Sequence, residues 1–307
     1  MSTDTVETSY TEINDTSKLQ PMGVGDILDT TFSLYRKHFL LFLGIVSIYF
    51  FASLVEYALK GLISNSDAQK LITSLFILPF AILTIGSIVV AAARIHLGGH
   101  ITSGDALRQA LHRFFSMLGG HLLWVSVWVI TLILTLISIP AVARSQSFAV
   151  VFMIMIIGFP ISTYFAVRWG FYIEAILLEK LKVTDAFRRS SQLVRGAWWQ
   201  VFGTFILILI SSYAVQFIFE ISLGTIFIFT KFAGDTDLRG IIEWAILDSV
   251  LDSRSFVFYA TMTCIKLILS SLVLPIWVIG VTILYFDRRV HKESSEVELT
   301  ANTGEDV

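Results

Sequence analysis

Cysteine and charge are both scarce in this sequence. Its 307 residues include one cysteine, Cys264, which excludes an intramolecular disulfide and a thiolate-rich metal site. Charged residues make up 15% of the chain, against roughly 25% in soluble domains. The net charge is -2, so the chain has no overall positive field to attract nucleic acid. A disulfide-stabilised soluble domain and a nucleic-acid-binding protein are therefore both excluded.

The common catalytic and nucleotide-binding motifs are also missing. The sequence contains no G-x-S-x-G nucleophile motif, no P-loop and no dinucleotide-binding fingerprint. His96 and His100 have the spacing of a metal-ligand pair, but Gly98 and Gly99 lie between them, and two ligands do not make a site. We therefore predict neither an enzyme nor a cofactor or metal site.

Long apolar runs dominate what remains. Hydrophobic residues make up 55% of the chain, and the mean hydropathy is +0.76. Six runs match the ~20 residues that a helix needs to cross a bilayer, and they occupy residues 39–59, 71–93, 117–143, 148–167, 198–223 and part of 256–286. These runs predict an all-α membrane bundle of six transmembrane helices over residues 21–292. The polar ends, 1–20 and 293–307, are predicted to be disordered cytoplasmic tails.

The distribution of lysine and arginine predicts the orientation of the bundle. Fifteen of these residues lie in the tails and connectors on the side of the two termini, and six lie on the opposite side. Positive residues concentrate on the cytoplasmic side of a membrane protein. Both termini are therefore expected in the cytoplasm, which requires an even number of spans.

An internal repeat accompanies the six spans. Asp26, Asp105 and Asp185 are 79 and 80 residues apart, and each follows Gly or Thr at a predicted helix start. A carboxylate there suits the positive end of the helix dipole. We predict three pseudo-repeated hairpins, in units of about 22–98, 99–180 and 181–290, each preceded by an amphipathic interfacial helix. Positive-inside bias alone also produces alternating basic connectors and spans, which is the simpler explanation.

The basic segment 168–203 holds the strongest candidates for a binding surface. Arg188, Arg189 and Arg195 share one stripe of a predicted amphipathic helix, and Arg168 precedes it. We predict that these four arginines bind anionic lipid headgroups and that Trp198 and Trp199 anchor the chain at the membrane interface. The alternative is that the arginines only set topology.

Three charged residues fall within or beside the predicted spans. An ionisable residue inside a membrane is a functional hypothesis by default. Glu56 and Glu220 are expected near the outer ends of their spans, and we predict that Lys266 pairs with one of them in the outer half of the bundle. The alternatives are a structural ion pair and a polar lining for a substrate path.

Three segments resemble one known family. They read MGVGDILDTTFSLYRKHFLLFLG (22–44), LLEKLKVTDAFRRSSQLVRGAWWQVFG (177–203) and LYFDRRVHKE (284–293). Together they resemble the glycerophosphoryl diester phosphodiesterase membrane-domain family, whose members are multi-span prokaryotic proteins. The resemblance covers roughly 21–292 and implies the cell (inner) membrane and proximity to lipid. It does not imply hydrolysis, because the catalytic barrel of some members is not in these 307 residues.

Two functional hypotheses follow from the sequence. The first is a non-enzymatic module that binds or organises membrane lipids, anionic ones included, or scaffolds a protein partner or a second copy. The second is a transporter or permease subunit for a small or lipid-like substrate, which would use the buried charges and Pro79, Pro160 and Pro275. A water-filled cavity lined by Lys266 or Glu220 would favour the second hypothesis, and grooves that face lipid would favour the first.

Overall fold

The described secondary structure is entirely α-helical. The computed structural model describes residues 22–62, 66–145, 149–229 and 256–303, and within these ranges it contains no strand. The predicted tail 1–20 and the loop 230–255 lie outside them. The helices are α1 Val24–Lys37, α2 Phe39–Leu62, α3 Ser66–His96, α4 Ser103–His112, α5 Phe114–Ser145, α6 Ala149–Arg168, α7 Tyr172–Leu178, α8 Val183–Val194, α9 Trp198–Phe229 and α10 Phe256–Thr303.

Five helices are long and apolar enough to cross a membrane. The stretches are Phe39–Leu59, Ile72–His96, Phe114–Ile133, Trp198–Ile226 and Thr263–Ser294. Large apolar side chains on them face outward: Leu40 is 79% exposed and Phe51 63%. Such continuous apolar surface marks a membrane or protein contact, so the all-helical chain has the features of a membrane-embedded protein. The fourth predicted span, 148–167, corresponds to α6, which is 20 residues long but is not among the five.

Two of these stretches form the centre of the bundle. In Thr263–Ser294 of α10, 67% of the most apolar window is buried, and in Ile72–His96 of α3 the share is 50%. The corresponding share in α5 is only 11%. α10 packs against α1, α2, α3 and α9, so it connects the first and last parts of the chain.

Each proline singled out in the sequence lies inside a helix. Pro79 is in α3, Pro160 in α6 and Pro275 in α10. Proline removes a backbone donor and leaves a carbonyl without its helical partner. Within a bundle, neighbouring side chains and local helix adjustments can satisfy that carbonyl.

The short helices gather at one end of the bundle, here called the short-helix end. It carries α1, α4, α7 and α8, where α3 and α6 finish and α2, α5 and α9 begin. The apolar face of α8, which includes Phe187 and Leu193, is buried against the protein. The sequence left open whether this amphipathic helix lies flat on the membrane or packs under the bundle. In the structure, Tyr172 of α7 and Trp169 of the preceding turn contact Phe187, so the apolar face is turned toward the protein.

One boundary and one short helix also differ from the prediction. α10 continues to Thr303, whereas a disordered tail was expected from residue 293. The segment holds no glycine or proline before residue 304, and Arg289 pairs with Glu293 one turn along at 2.7 Å, which supports a continued helix. α7 was not predicted, because its seven residues are too few for an amphipathic period to be recognised.

Two neighbouring glycines on α5 provide a test of this packing. A Cβ on Gly120 would lie 2.8 Å from the Tyr172 ring, whereas a Cβ on Gly119 would meet Val183 at an ordinary 3.8 Å. Both alanine substitutions gain the same helix propensity. The difference between their unfolding free energies therefore measures the clash of the new Cβ with Tyr172. We expect Gly120→Ala to be less stable than Gly119→Ala by about 1–3 kcal/mol, measured by unfolding in detergent. Equal stabilities would contradict the close packing of α5 on α7.

Candidate functional site

The candidate site is the outward surface of α8. Contacts of two of its residues, Ser190 and Phe187, hold this helix in place. The Ser190 hydroxyl donates to the Arg168 carbonyl at 2.9 Å and accepts from the Phe171 amide at 3.1 Å. The Phe187 ring stacks on Tyr172, with 5.3 Å between ring centroids, and meets Trp169 edge-on at 5.0 Å. The polar face of α8 is therefore presented on a rigid support.

A carboxylate joins α8 to the central helix. Glu179 accepts hydrogen bonds from Arg189 Nε at 3.0 Å and from the Tyr285 hydroxyl of α10. Arg189 also lies 3.7 Å from Glu293 Oε1. Burial lowers the pKa of Arg189, but the hydrogen bond and charge of Glu179 outweigh it and raise the pKa overall. Arg189 is therefore engaged by two carboxylates. Its predicted role in lipid binding stays a prediction.

Three consecutive charged residues of α10 connect further elements. Asp287, Arg288 and Arg289 are all less than 9% exposed. Asp287 accepts a hydrogen bond from the Met22 amide at 2.9 Å, and Arg288 donates to Asp287 at 2.6 Å and to Gln200 of α9 at 3.0 Å. In the sequence, Arg288 and Arg289 counted only among the fifteen basic residues on the side of the termini. In the structure, Arg288 connects α10 to α9, Asp287 connects α10 to the chain just before α1, and Arg289 pairs with Glu293 of its own helix.

Exposed cations lie on α8 and in the turns around it, in addition to Arg36 and Lys37 on α1 and Arg108 on α4. Lys180, Lys182, Arg188 and Arg195 are exposed, and the one exposed carboxylate on α8 is Asp185. Lys180 and Gly196 both have positive φ values, of 55° and 86°. These two residues have left-handed backbone conformations in the turns that flank α8.

The two tryptophans at the start of α9 have different surroundings. Trp199 is 77% exposed, as an interface anchor would be. Trp198 stacks on Phe202 and Tyr164 and donates to the Tyr164 carbonyl at 3.3 Å. Arg168, the fourth predicted headgroup ligand, is half-buried and donates to the Tyr164 hydroxyl at 3.0 Å. The structure thus places Trp199 and Arg195 in one surface region and holds Arg168 against its own helix.

The predicted intramembrane charges lie toward the other end of the bundle. Glu56 is near the end of the first span and Lys266 is near the start of the last one. Glu220 is 1% exposed and accepts a hydrogen bond from Gln216 at 2.8 Å. The predicted ion pair of Lys266 with Glu220 or Glu56 stays a prediction.

From the sequence, Glu174 was expected only to flank the end of the predicted span 148–167 as a helix-end anchor. It lies in α7, is 3% exposed, and its Oε2 makes no hydrogen bond within the described part of the chain. Burial raises its pKa from 4.5 to about 8, partly opposed by a backbone hydrogen bond. The carboxyl is therefore neutral at pH 7. A lone acidic residue in the apolar run 171–178 was the available signal.

Comparisons with known proteins do not assign a function to this site. No family model, no curated protein and no solved structure matches the chain. The function proposed below therefore rests on the geometry of α8 and its surroundings.

The neutral Glu174 predicts a specific pH dependence. Unfolded glutamate ionises near pH 4.5, but the buried group keeps its proton to about pH 8. The native state then binds more protons than the unfolded state in that window, so the Glu174 contribution to stability falls as pH rises through it. We expect Glu174→Gln, which stays neutral, to show a shallower fall in unfolding free energy between about pH 4.5 and about 8.

The exposed Asp185 provides the matched control for this measurement. Asp185→Asn removes an exposed carboxylate from the same end of the bundle, so it controls for the loss of one acidic side chain as such. Parallel pH profiles for wild type and Glu174→Gln would show that Glu174 is not the titrating group.

Proposed function

We propose that this chain is a non-enzymatic integral membrane module that binds anionic lipid headgroups on the exposed surface of α8. The observation that carries the proposal is the separation of roles among the α8 arginines. Arg189 is engaged by Glu179 and Glu293, while Arg188 and Arg195 are exposed on the same rigid helix. Structural ion pairing therefore accounts for Arg189 and leaves the exposed cations available for a ligand.

The charge and position of this surface fit a lipid headgroup. A Lys or Arg near an anionic leaflet contributes about 1 kcal/mol to binding. Trp199 follows Arg195 by four residues and is 77% exposed, so its ring can lie at headgroup depth. Exposed apolar side chains such as Leu40 and Phe115 add to the lipid-facing surface at this end.

We further infer six spans in three repeated hairpins. The span that adds to the five long apolar helices is α6, the fourth in chain order. Asp26, Asp105 and Asp185 each occupy the third position of their short helix. Each short helix also packs on the preceding hairpin: α4 on α2 and α3, α8 on α5 and α6, and α1 on α10. This cyclic pattern supports a repeat more directly than charge alternation does.

The proposed orientation places the short-helix end in the cytoplasm. The fifteen lysines and arginines expected there outnumber the six on the other side, as the positive-inside rule requires. The α8 surface then faces the cytoplasmic leaflet, which carries the negative surface potential. Kinship with the glycerophosphoryl diester phosphodiesterase membrane-domain family is part of the same proposal and is supported by the three sequence segments quoted above.

The alternative function is a transporter or permease subunit. The buried Glu220 and the prolines inside α3, α6 and α10 favour it. Such a protein needs a hydrated path lined by polar groups. The structure has a groove between residues 209–216 of α9 and 270–277 of α10. It is half-open and mostly apolar, and neither Lys266 nor Glu220 lines it. This groove favours the lipid-binding function.

Lipid binding can be tested without disturbing the α8 support. The double variant Arg188→Ala/Arg195→Ala removes two exposed cations and keeps Arg189. We expect phosphatidylglycerol, titrated into the purified protein and followed by native mass spectrometry, to bind about 30-fold more weakly, because two cations contribute about 2 kcal/mol. Phosphatidylcholine binding should not change.

The matched control removes two exposed arginines from other short helices. Arg36→Ala/Arg108→Ala has the same net charge change on α1 and α4. It should lose much less phosphatidylglycerol affinity than the α8 variant. If both double variants lose the same phosphatidylglycerol affinity, the α8 arginines contribute only general positive charge and do not form a binding site.

Cysteine labelling tests the orientation and the six spans. In a Cys264→Ser background, Gly25→Cys, Gly104→Cys and Thr184→Cys place one exposed thiol on each repeat, at helix positions with room for a side chain at both glycines. We expect an impermeant maleimide to label all three only after cells are permeabilised. Arg254→Cys, in the loop expected outside, should react in intact cells. Opposite behaviour of Gly104→Cys and Thr184→Cys would show that α6 does not cross.

A further inference from the structure

A groove lies between α9 and α10 inside their membrane-spanning stretches. It has a volume of about 280 Å³ and is partly open to the outside of the bundle. Apolar side chains form most of its lining, with a few polar groups among them. The principal lining residues are Leu209, Leu274, Trp277, Ser212, Gln216 and Ser270. Because this groove opens sideways within the spans, hydrocarbon is the medium that reaches it.

Two charged residues continue the groove toward the end opposite the short helices. On α9 the lining positions 209, 212, 213 and 216 lead, one turn on, to Glu220. On α10 the lining positions 277, 274, 273 and 270 lead, one turn back, to Lys266. Residues four apart on a helix share a face. Glu220 and Lys266 therefore lie on the two faces that form the groove.

The pairing of the helices puts these two residues at nearly the same height. Arg288 of α10 donates a hydrogen bond to Gln200 of α9. Eight residues further along α9, Ile208 packs against Gly280, which lies eight residues before Arg288 on α10. Continuing this register from Ile208 to Glu220 reaches Ile268, two residues from Lys266. The height difference is ~3 Å at 1.5 Å per residue.

The depth of the groove follows from the same geometry. Trp199 is the exposed aromatic residue at the short-helix end of α9. At 1.5 Å per residue, Leu209 lies ~15 Å, Gln216 ~25 Å and Glu220 ~31 Å further along. The hydrocarbon core of a bilayer is ~30 Å thick. The groove is therefore in the far half of the core, and Glu220 and Lys266 are at the far membrane–water interface.

We propose that this groove holds one acyl chain of a glycerophospholipid from the leaflet opposite the short-helix end, with the lipid phosphate beside Lys266. The apolar walls match the chain, and the ammonium group at headgroup depth matches the phosphate. The Lys266 ammonium has three N–H donors, so it can serve a carboxylate and a phosphate together. The inference rests on the proposed lipid-binding role, but it uses a different surface from α8.

The test uses the full-length protein and phosphatidylcholine, a phosphate lipid with no net charge. Ser270→Trp places a large ring in the groove, and Lys266→Gln removes the ammonium. We expect native mass spectrometry to show that each variant binds its tightest phosphatidylcholine at least about 5-fold more weakly, the factor for loss of about 1 kcal/mol. Because both changes act on one ligand, their combined effect should be smaller than the product of the two.

A matched substitution controls for bulk in the membrane. Ile210 lies on α9 beside the groove residue Leu209, is 54% exposed and does not line the groove. Ile210→Trp should bind phosphatidylcholine as the wild type does. Wild-type affinity in a folded Ser270→Trp protein would overturn the proposal.

A second measurement needs no groove-filling variant. Lysophosphatidylcholine and a monoacylglycerol with the same chain are compared on the wild-type protein. The phosphate-bearing lipid should bind about 5-fold more tightly, and Lys266→Gln should abolish this preference. Equal binding of the two lipids by the wild type would overturn the phosphate assignment.

The outcomes also separate this inference from the function proposed for α8. Loss of phosphatidylglycerol binding in Arg188→Ala/Arg195→Ala, with groove variants that bind phosphatidylcholine normally, would support the α8 function and overturn the groove site. Loss of phosphatidylcholine in the groove variants, with an unaffected α8 double variant, would support the groove site and overturn the α8 function.

Discussion

The contact of Glu179 with Arg189 and Tyr285 is the interaction on which the short-helix end depends. It joins the end of α7, the middle of α8 and the centre of α10 through a single carboxylate. Removing one partner from a buried or half-buried ion pair leaves the other charge without compensation, and that loss is larger than the net gain from the pair itself. The connection is therefore an orienting one: it decides which face of α8 is presented outward.

The same constraint explains why Arg188 and Arg189 differ so much despite being neighbours. Successive residues on a helix point about 100° apart, so only one of the two can face Glu179. Arg189 takes that place and Arg188 remains exposed. The Ser190 hydroxyl, bonded to Arg168 and Phe171, fixes the rotation of the helix. A lipid-binding surface on α8 is thus a consequence of how the opposite side of the helix is anchored.

Charged groups at the two ends of the bundle are used in different ways. At the short-helix end, Asp287 and Arg288 are buried and satisfied by each other and by Met22 and Gln200. Toward the far end, Glu220 is buried beside Gln216, one turn from a groove that opens sideways. Unsatisfied polar groups are costly in hydrocarbon. In both places these buried charges, Asp287, Arg288 and Glu220, have hydrogen-bonding neighbours, and the far end combines this with space for an acyl chain.

The sequence alone determined the helical class, the approximate positions of five spans and the short helices that begin near Asp26, Asp105 and Asp185. Hydropathy and amphipathic period are local properties of the sequence, so they can be recognised without knowledge of the tertiary contacts. The sequence could not separate Arg189 from Arg188, and it did not identify the burial of Glu174 and Asp287. Those properties depend on which residues from distant parts of the chain meet at one point. The packing of α10 against α1, α8 and α9 decided the roles of Arg189 and Asp287, and the packing of α7 against α3, α5 and α8 decided the burial of Glu174. The partners are separated in sequence by up to hundreds of residues.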